Sequence, residues 1–366
     1  MGVATAISGP RDGPCRAGGG PIQIMVVDDS MTARTVFSRI ITYEDDMELI
    51  AEAATAEEAL EILSVSTVDI ILLDLEMPGM GGLEALPKMI EAAPEARIMV
   101  VSTLTVEGAE PTLAALSLGA ADTLAKPRPG TFDQDYKTRL LRKIRALGGT
   151  AQRALLPSVE RKRPVSALRP FSRKRASVLA IGASTGGIHA LGQLFAALPP
   201  QIDLPILVTQ HLPASFMDAF ARQLQAASGR SAVVAHEGAR LLADQILVAP
   251  GHAHMKVVER SGGYEVRLDQ TPEASGCMPS VNPMFASIAE VMGARALGVI
   301  LSGMGSDGTE GARQMASVGG TILAQDDESC AVWGMPGSVA MAGLASAVLP
   351  PDELASQVAR CAKARR

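Results

Sequence analysis

Val178-Leu-Ala-Ile-Gly-Ala-Ser-Thr-Gly-Gly-Ile188 holds the end of one element and the start of another. Val178–Ile181 is a short apolar run of the kind buried inside a parallel sheet, and Ile188–Ala197 carries apolar residues at helical spacing. The glycines between them turn the chain tightly from strand into helix. Such a loop has two chemical readings. Glycines at a helix N-terminus can cradle a phosphate with free backbone N–H groups. A Walker A loop, however, needs a lysine after its glycines, and none is present. The spacing also fails the dinucleotide fingerprint. Gly182-x-Ser184-x-Gly186 does match the nucleophile elbow, in which small neighbours let a serine sit on a sharp strand-to-helix turn.

Outward from this loop the alternation continues. Ile206–Val208, Ile246–Ala249, Val257–Val258, Val266–Leu268, Leu297–Leu301 and Thr321–Leu323 read as strands. Helices fit Phe216–Ala227, Pro283–Val291, Glu310–Ser317 and Glu353–Cys361. A doubly wound α/β domain with a mostly parallel sheet is expected over 177–366. A serine nucleophile needs a base, and the base needs an orienting acid. His211 directly follows Pro205–Gln210, and Asp307 lies in the glycine-rich loop after Leu297–Leu301. All three candidates fall at carboxyl ends of expected strands. Their chain order, Ser–His–Asp, is not the Ser–Asp–His of the α/β-hydrolases, so that fold is not expected.

The first half alternates as well, with strands at Ile22–Val27, Ile70–Leu73, Ile98–Val101 and Asp122–Ala125. Helices fall at Ala33–Ile41, Ala56–Leu63, Leu83–Ala92, Leu113–Leu118 and about Tyr136–Leu147, with Thr55 a candidate N-cap. Polar residues close the strands: Asp28 and Asp29, then Asp74, then Ser102 and Thr103, then Lys126-Pro127. Folding the strands side by side brings them to one edge. Three adjacent carboxylates repel unless a hard divalent cation neutralises them, and that cation can orient a phosphoryl group while one carboxylate attacks it. Lys126 would pair with the phosphate, and the Ser102 hydroxyl could follow its arrival.

Between the halves, residues 148–176 lack apolar periodicity and carry Pro157, Pro164 and Pro170 among basic residues, so a mobile tether is expected. Residues 1–21 are Gly- and Pro-rich and read as a disordered tail without the apolar middle of a signal peptide. The formal charge of −6 and an acidic second half argue against a nucleic-acid binder, and 47% apolar residues exclude global disorder. No apolar run reaches membrane-spanning length, so no membrane insertion and a cytoplasmic location are expected. The four cysteines are far apart, without a CxxC pair, and His252 and His254 are read as structural.

These motifs carry two resemblances. Residues 22–147, with Val-Asp28-Asp29-Ser, Leu-Asp74-Leu-Glu-Met-Pro, Ser102-Thr103 and Lys126-Pro127, closely resemble the flavodoxin-like receiver domain of response regulators. The resemblance implies Asp74 as phospho-acceptor, Mg²⁺ held by Asp28, Asp29, Asp74 and the Glu76 backbone carbonyl, and Ser102 and Lys126 as the switch pair. Met80-Gly81-Gly82 departs from the family, which usually has an Asp there.

The second half resembles the catalytic domain of the chemotaxis protein-glutamate methylesterases, the CheB family. Six motifs follow in order: Gly-Ala-Ser-Thr-Gly-Gly, Gln210-His211-Leu-Pro213, Ala-Pro-Gly251-x-x-His254-Met, Cys-Met-Pro279-Ser280-Val, Leu-Ser-Gly-Met-Gly-x-Asp307-Gly and Gly334-Met-Pro336. Asn282, His189 and Gly337-Ser338 depart from it. This resemblance implies a hydrolase acting on γ-glutamyl methyl esters of chemoreceptors, similar to enzymes that also deamidate receptor glutamines. It needs no cofactor for the ester reaction, uses Ser184, His211 and Asp307, and takes oxyanion support from the backbone of Thr185 and Met304. It also implies a chemotaxis histidine kinase as phosphodonor and an unphosphorylated receiver that occludes the esterase cleft. The competing expectations are a response regulator with a DNA-binding output and a receptor-binding protein without catalysis.

Overall fold

The structure, a computed structural model, describes residues 20–102, 106–126, 134–154 and 166–363. They fall into two compact units that divide between residues 154 and 166.

The first unit runs β1 (Ile22–Val27), α1 (Met31–Thr42), β2 (Met47–Ala53), α2 (Ala56–Leu63), β3 (Ile70–Asp74), α3 (Gly82–Ala92), β4 (Arg97–Ser102), α4 (Val106–Ser117), β5 (Asp122–Ala125) and α5 (Gln134–Ala154). Its five strands are parallel in the order β2-β1-β3-β4-β5. This is the flavodoxin-like order, whose ligand crevice opens where the strand order reverses, beside the carboxyl ends of β1 and β3. β3 is buried along its whole length, which is why Ile70–Leu73 reads as an unbroken apolar run. Thr55 does cap α2: its hydroxyl accepts from Glu58 N at 3.2 Å, and the Glu58 carboxylate accepts from Ala54 N at 2.7 Å.

In the second unit β6 (Val178–Ala183), α6 (Gly187–Ala197), β7 (Ile206–Gln210), α7 (Met217–Ser228), β8 (Ala232–Val234) and β9 (Ile246–Val248) come first. The hairpin β10 (His254–Arg260) and β11 (Gly263–Asp269) follows, then α8 (Val281–Met292), β12 (Ala296–Ile300) and α9 (Thr309–Ser317). β13 (Thr321–Gln325), α10 (Met335–Met341), β14 (Ala347–Leu349) and α11 (Pro351–Ala362) complete the unit. Seven parallel strands lie in the order β14-β13-β12-β6-β7-β9-β8, and the hairpin is a separate antiparallel pair. From β6 the chain steps to β7 on one side and later returns to β12 on the other. The reversal therefore lies at β6, where the serine loop leaves the sheet.

Glycine sets how closely α8 approaches that point. A Cβ on Gly182 would lie 2.6 Å from a Val281 methyl carbon, and one on Gly308 would lie 3.0 Å from the same atom. Gly308 also has φ +87°, a left-handed conformation that glycine adopts without strain. With Met284, Phe285 and Ile288 in the core, α8 is seated with its first turn over the strand ends.

The basic stretch differs from expectation. α5 runs through Ala154, past the expected boundary at residue 147, and from Ser166 the chain is bound to the second unit. Ser166 Oγ donates to Met341 O at 2.6 Å, Ser172 Oγ to Ala294 O at 2.6 Å, and Arg175 Nε to Ala362 O at 2.6 Å. Serine and arginine donors there satisfy carbonyls at element ends, an order that apolar periodicity does not report. The rest of the expected tether, residues 155–165, and the tail through residue 19 lie outside the described residues, as do Thr103 and Pro127.

Candidate active site

Parallel pairing brings the second unit's candidates together. Gly182 is in register with Thr209 on β7 and with Ile300 on β12, and Ala183 with Gln210. Ser184 and His211 are therefore the next residues on adjacent strands, and His211 N donates to Ala183 O at 3.2 Å. The elbow is held by its backbone. Ser184 N donates to Ser302 O at 3.0 Å, and Ser184 O accepts from Gly187 N at 2.8 Å and from the buried Gln210 Nε2 at 2.9 Å. Gly186, at φ +75°, caps α6 and completes the turn.

The loop after β12 closes on the serine from the other side. A Cβ on Gly303 would lie 2.8 Å from Ser184 Cβ, so the backbone leading into Met304 runs directly beside the candidate nucleophile. Thr185 is buried at the start of α6, and its carbonyl accepts from Ser302 Oγ at 2.7 Å. The backbone at Thr185 and Met304 thus flanks Ser184, where an oxyanion would form.

His211 Nε2 lies 2.9 Å from Asp307 Oδ2, leaving Nδ1 as the nitrogen available to a serine hydroxyl. Among the described residues no hydrogen bond joins Ser184 Oγ to His211, a contact that commonly tightens only when substrate is bound. Asp307 is buried and well supplied with donors: Ser280 Oγ donates to Oδ1 at 2.7 Å and Val281 N to Oδ2 at 2.8 Å. Burial pushes the Asp307 carboxyl up, but the hydrogen bonds from His211, Ser280 and Val281 outweigh it and hold the group ionised, below its usual range. Burial likewise pushes the His211 imidazolium down, yet Asp307 and Cys277 raise it to about 9.

The sequence did not single out Ser280 as a site residue. Ser280 N donates to Nδ1 of the fully buried His254, whose Nε2 then carries the proton and donates to Thr271 O at 2.9 Å. Ser280 also caps α8, accepting from Asn282 N at 3.2 Å. Only the fold reveals that the capping hydroxyl at the head of this helix faces the acid of a distant loop. His254, read as structural, has that role here. Cys277 is a second omission: its sulfur, a His211 ring nitrogen and an Asp307 oxygen all lie within 4.8 Å of one another.

The first unit gathers its own constellation. Carboxylate oxygens of Asp28, Asp29 and Asp74 lie within 4.8 Å of one another at the crevice between β1 and β3. Lys126 Nζ reaches Asp74 Oδ2 at 2.6 Å and Asp28 Oδ2 at 2.9 Å. The second contact is an ion pair not aligned as a hydrogen bond, so Asp28 Oδ2 is buried without a hydrogen-bond donor. Burial raises the Asp74 carboxyl pKa against the lowering effect of Lys126, and the Asp28 charge adds to the rise. Lys126 itself is raised, because its two carboxylates outweigh its partial burial. An under-neutralised set of hard oxygen ligands fits Mg²⁺. Glu76 sits two residues on, its N donating to Asp74 Oδ1 at 3.1 Å. Ser102 Oγ is buried 2.7 Å from Thr112 Oγ1, and Ser102 O accepts from Lys126 N at 2.7 Å. No helix among the described residues is long and apolar enough to cross a membrane.

Comparison with known proteins agrees with both units. The family described as CheB methylesterase matches residues 179–358, and that described as response regulator receiver domain matches residues 24–134. The chain is 39% identical to protein-glutamate methylesterase/protein-glutamine glutaminase 1 of Rhodospirillum rubrum, over 95% of this chain and 97% of that protein. It is 43% identical to protein-glutamate methylesterase/protein-glutamine glutaminase 2 of Caulobacter vibrioides, over 93% of this chain and 99% of that one. The crystal structure of the Thermotoga maritima CheB methylesterase catalytic domain matches 50% of this chain and 98% of its own, at 33% identity and a TM-score of 0.49.

Proposed function

Because the chain belongs to the CheB methylesterase family and carries a response regulator receiver domain ahead of its methylesterase domain, we propose that it hydrolyses γ-glutamyl methyl esters on chemoreceptors, and deamidates receptor glutamines, under control of phosphorylation at Asp74. The observation that carries the ester chemistry is the convergence of Ser184, His211 and Asp307 at the strand reversal of the second unit.

In this reading Ser184 Oγ attacks the ester carbonyl and its proton passes to His211 Nδ1. Asp307 holds the imidazole through Nε2 and stabilises the imidazolium. The backbone N–H groups of Thr185 and Met304 receive the oxyanion, and losing one such donor typically costs about 2.7–4 kcal/mol. His211 returns the proton to the departing methanol, or to ammonia when the substrate is glutamine. Water then releases the glutamate by the same steps.

The base must be neutral to act, and the free protein holds His211 at about 9. With this single titration, kcat/KM for ester hydrolysis rises roughly tenfold per pH unit through neutrality and levels off only near pH 9. A profile already flat at pH 7 would contradict a His211 held protonated through neutrality. For stability the sign is opposite. Because the folded value lies above the ordinary 6.5, the contribution of this group is full below about pH 6.5 and is lost as pH climbs through 9.

Asp28, Asp29 and Asp74, with the Glu76 carbonyl, would hold Mg²⁺, which when bound neutralises the carboxylates and orients the incoming phosphoryl group. Asp74 takes the phosphoryl group from a chemotaxis histidine kinase. Lys126 pairs with it, and Ser102 leaves Thr112 to meet it. The test is methanol release from methylated receptor membranes with and without acetyl phosphate. Wild type responds to the phosphodonor, whereas Asp74→Ala keeps a low basal rate that it cannot raise. Full activation of that variant would disprove control through Asp74.

A further inference from the structure

The two acid-bearing clusters differ in their donor atoms. That of the first unit is all carboxylate oxygen, whereas His211, Cys277 and Asp307 offer a nitrogen, a sulfur and an oxygen within 4.8 Å of one another. Hard cations such as Mg²⁺ select the first kind of site, and thiophilic divalent ions such as Zn²⁺ select the second. Cys277 is a free thiol, half-buried and reachable from solvent. Its backbone N is anchored to Ser275 Oγ at 3.3 Å.

The geometry points to a zinc-binding site made of Cys277 Sγ, His211 Nε2 and an Asp307 oxygen, whose occupation shuts the esterase off. Three protein ligands with a fourth position left to water is a common zinc arrangement. With zinc–ligand bonds of about 2.0 Å, tetrahedral coordination sets nitrogen and oxygen roughly 3.3 Å apart. His211 Nε2 and Asp307 Oδ2 are 2.9 Å apart, so the pair need open only slightly to admit the ion. Ser280 Oγ on Asp307 Oδ1 and Val281 N on Oδ2 hold the carboxylate from behind, as the outer partners of a metal ligand do.

Binding releases the Cys277 thiol proton and the His211 Nε2 proton to solvent, and the N–H that the imidazole keeps lies on Nδ1. Nδ1 then carries a proton and cannot accept one from Ser184, so the base is lost while the ion remains. The metal site stands on the three side chains. Its inhibitory effect rests on the proposed role of His211.

The experiment uses the full-length protein and separates the two. Co²⁺, a spectroscopic substitute for zinc, should give a thiolate-to-cobalt charge-transfer absorption in wild type, and Cys277→Ser and Cys277→Ala should lose it. In parallel, Zn²⁺ should inhibit methanol release reversibly by chelator, and either cysteine variant should need roughly tenfold or more zinc for half-inhibition of its own metal-free rate. Mg²⁺ at the same concentrations should do neither. Absence of the cobalt band, its persistence in both variants, or equal zinc sensitivity with and without Cys277 would overturn the proposal. If the receptor assay shows no esterase activity at all, the cobalt band still decides the site.

Discussion

Ser184→Ala is expected to lower methanol release from methylated receptors by about 10⁴–10⁶-fold in kcat, leaving receptor binding intact. The hydroxyl makes no hydrogen bond with His211 among the described residues, and the turn is held through the backbone N and O of Ser184. Alanine therefore removes the proposed nucleophile without removing what shapes the loop. Some catalysis over water should survive, because the proposed oxyanion donors are backbone groups. The check is single-turnover release of methanol by each protein, together with labelling by a fluorophosphonate probe. Retention of more than about a hundredth of the wild-type rate would move the nucleophile elsewhere, and Cys277 beside His211 would be the first residue to replace.

Asp307→Asn should cost less, and its pH profile is the sharper reading. An amide has one acceptor end, and two of the three groups around Asp307 settle which way it faces. Val281 N–H, 2.8 Å from Oδ2, can only donate, whereas the Ser280 hydroxyl at Oδ1 can also accept. The amide oxygen should therefore take the Oδ2 position and keep His211 N–H on Nε2, so the tautomer survives. What disappears is the charge facing the imidazolium, and removing one member of a buried pair costs about 3–5 kcal/mol, or roughly 10²–10⁴ in kcat. With the carboxylate gone, the His211 titration falls below its present value of about 9, and the plateau of kcat/KM begins at lower pH. A plateau that does not move would mean that Asp307 is not the charge that raises His211.

The sequence carried the parts of the molecule that local chemistry decides. Strands buried on both faces, such as Ile70–Leu73, appear as unbroken apolar runs, and the Thr55 cap follows from one residue and its neighbours. Among the edge strands of the two parallel sheets, β5 at Asp122–Ala125 was legible, and β2, β8 and β14 were not, for physical reasons. Met47–Ala53 alternates buried and half-exposed residues and includes Glu48 and Glu52, a pattern that does not mark a core strand. Ala232–Val234 and Ala347–Leu349 are only three residues long, too short for any period to show. In the site, Ser184, His211 and Asp307 could be marked because each follows a strand. Ser280 could not, because its function lies in reaching Asp307 across 27 residues of chain.

The sheet order of the second unit also governs when the protein becomes an enzyme. Every strand of the first unit lies before residue 126, so that unit can close on itself once α5 has left the ribosome. The central strand of the second unit cannot do the same, because Val178 pairs with Ala296 and waits for a segment made much later. Pairings so far apart in the chain form late, since the entropy of closing the intervening loop must be met before the contact exists. Asp307, the acid of the proposed triad, arrives with that same late segment. A growing chain thus owns a finished signal input well before it owns a catalyst, and a product that ends short of β12 has no esterase to misdirect, however fully its receiver is folded.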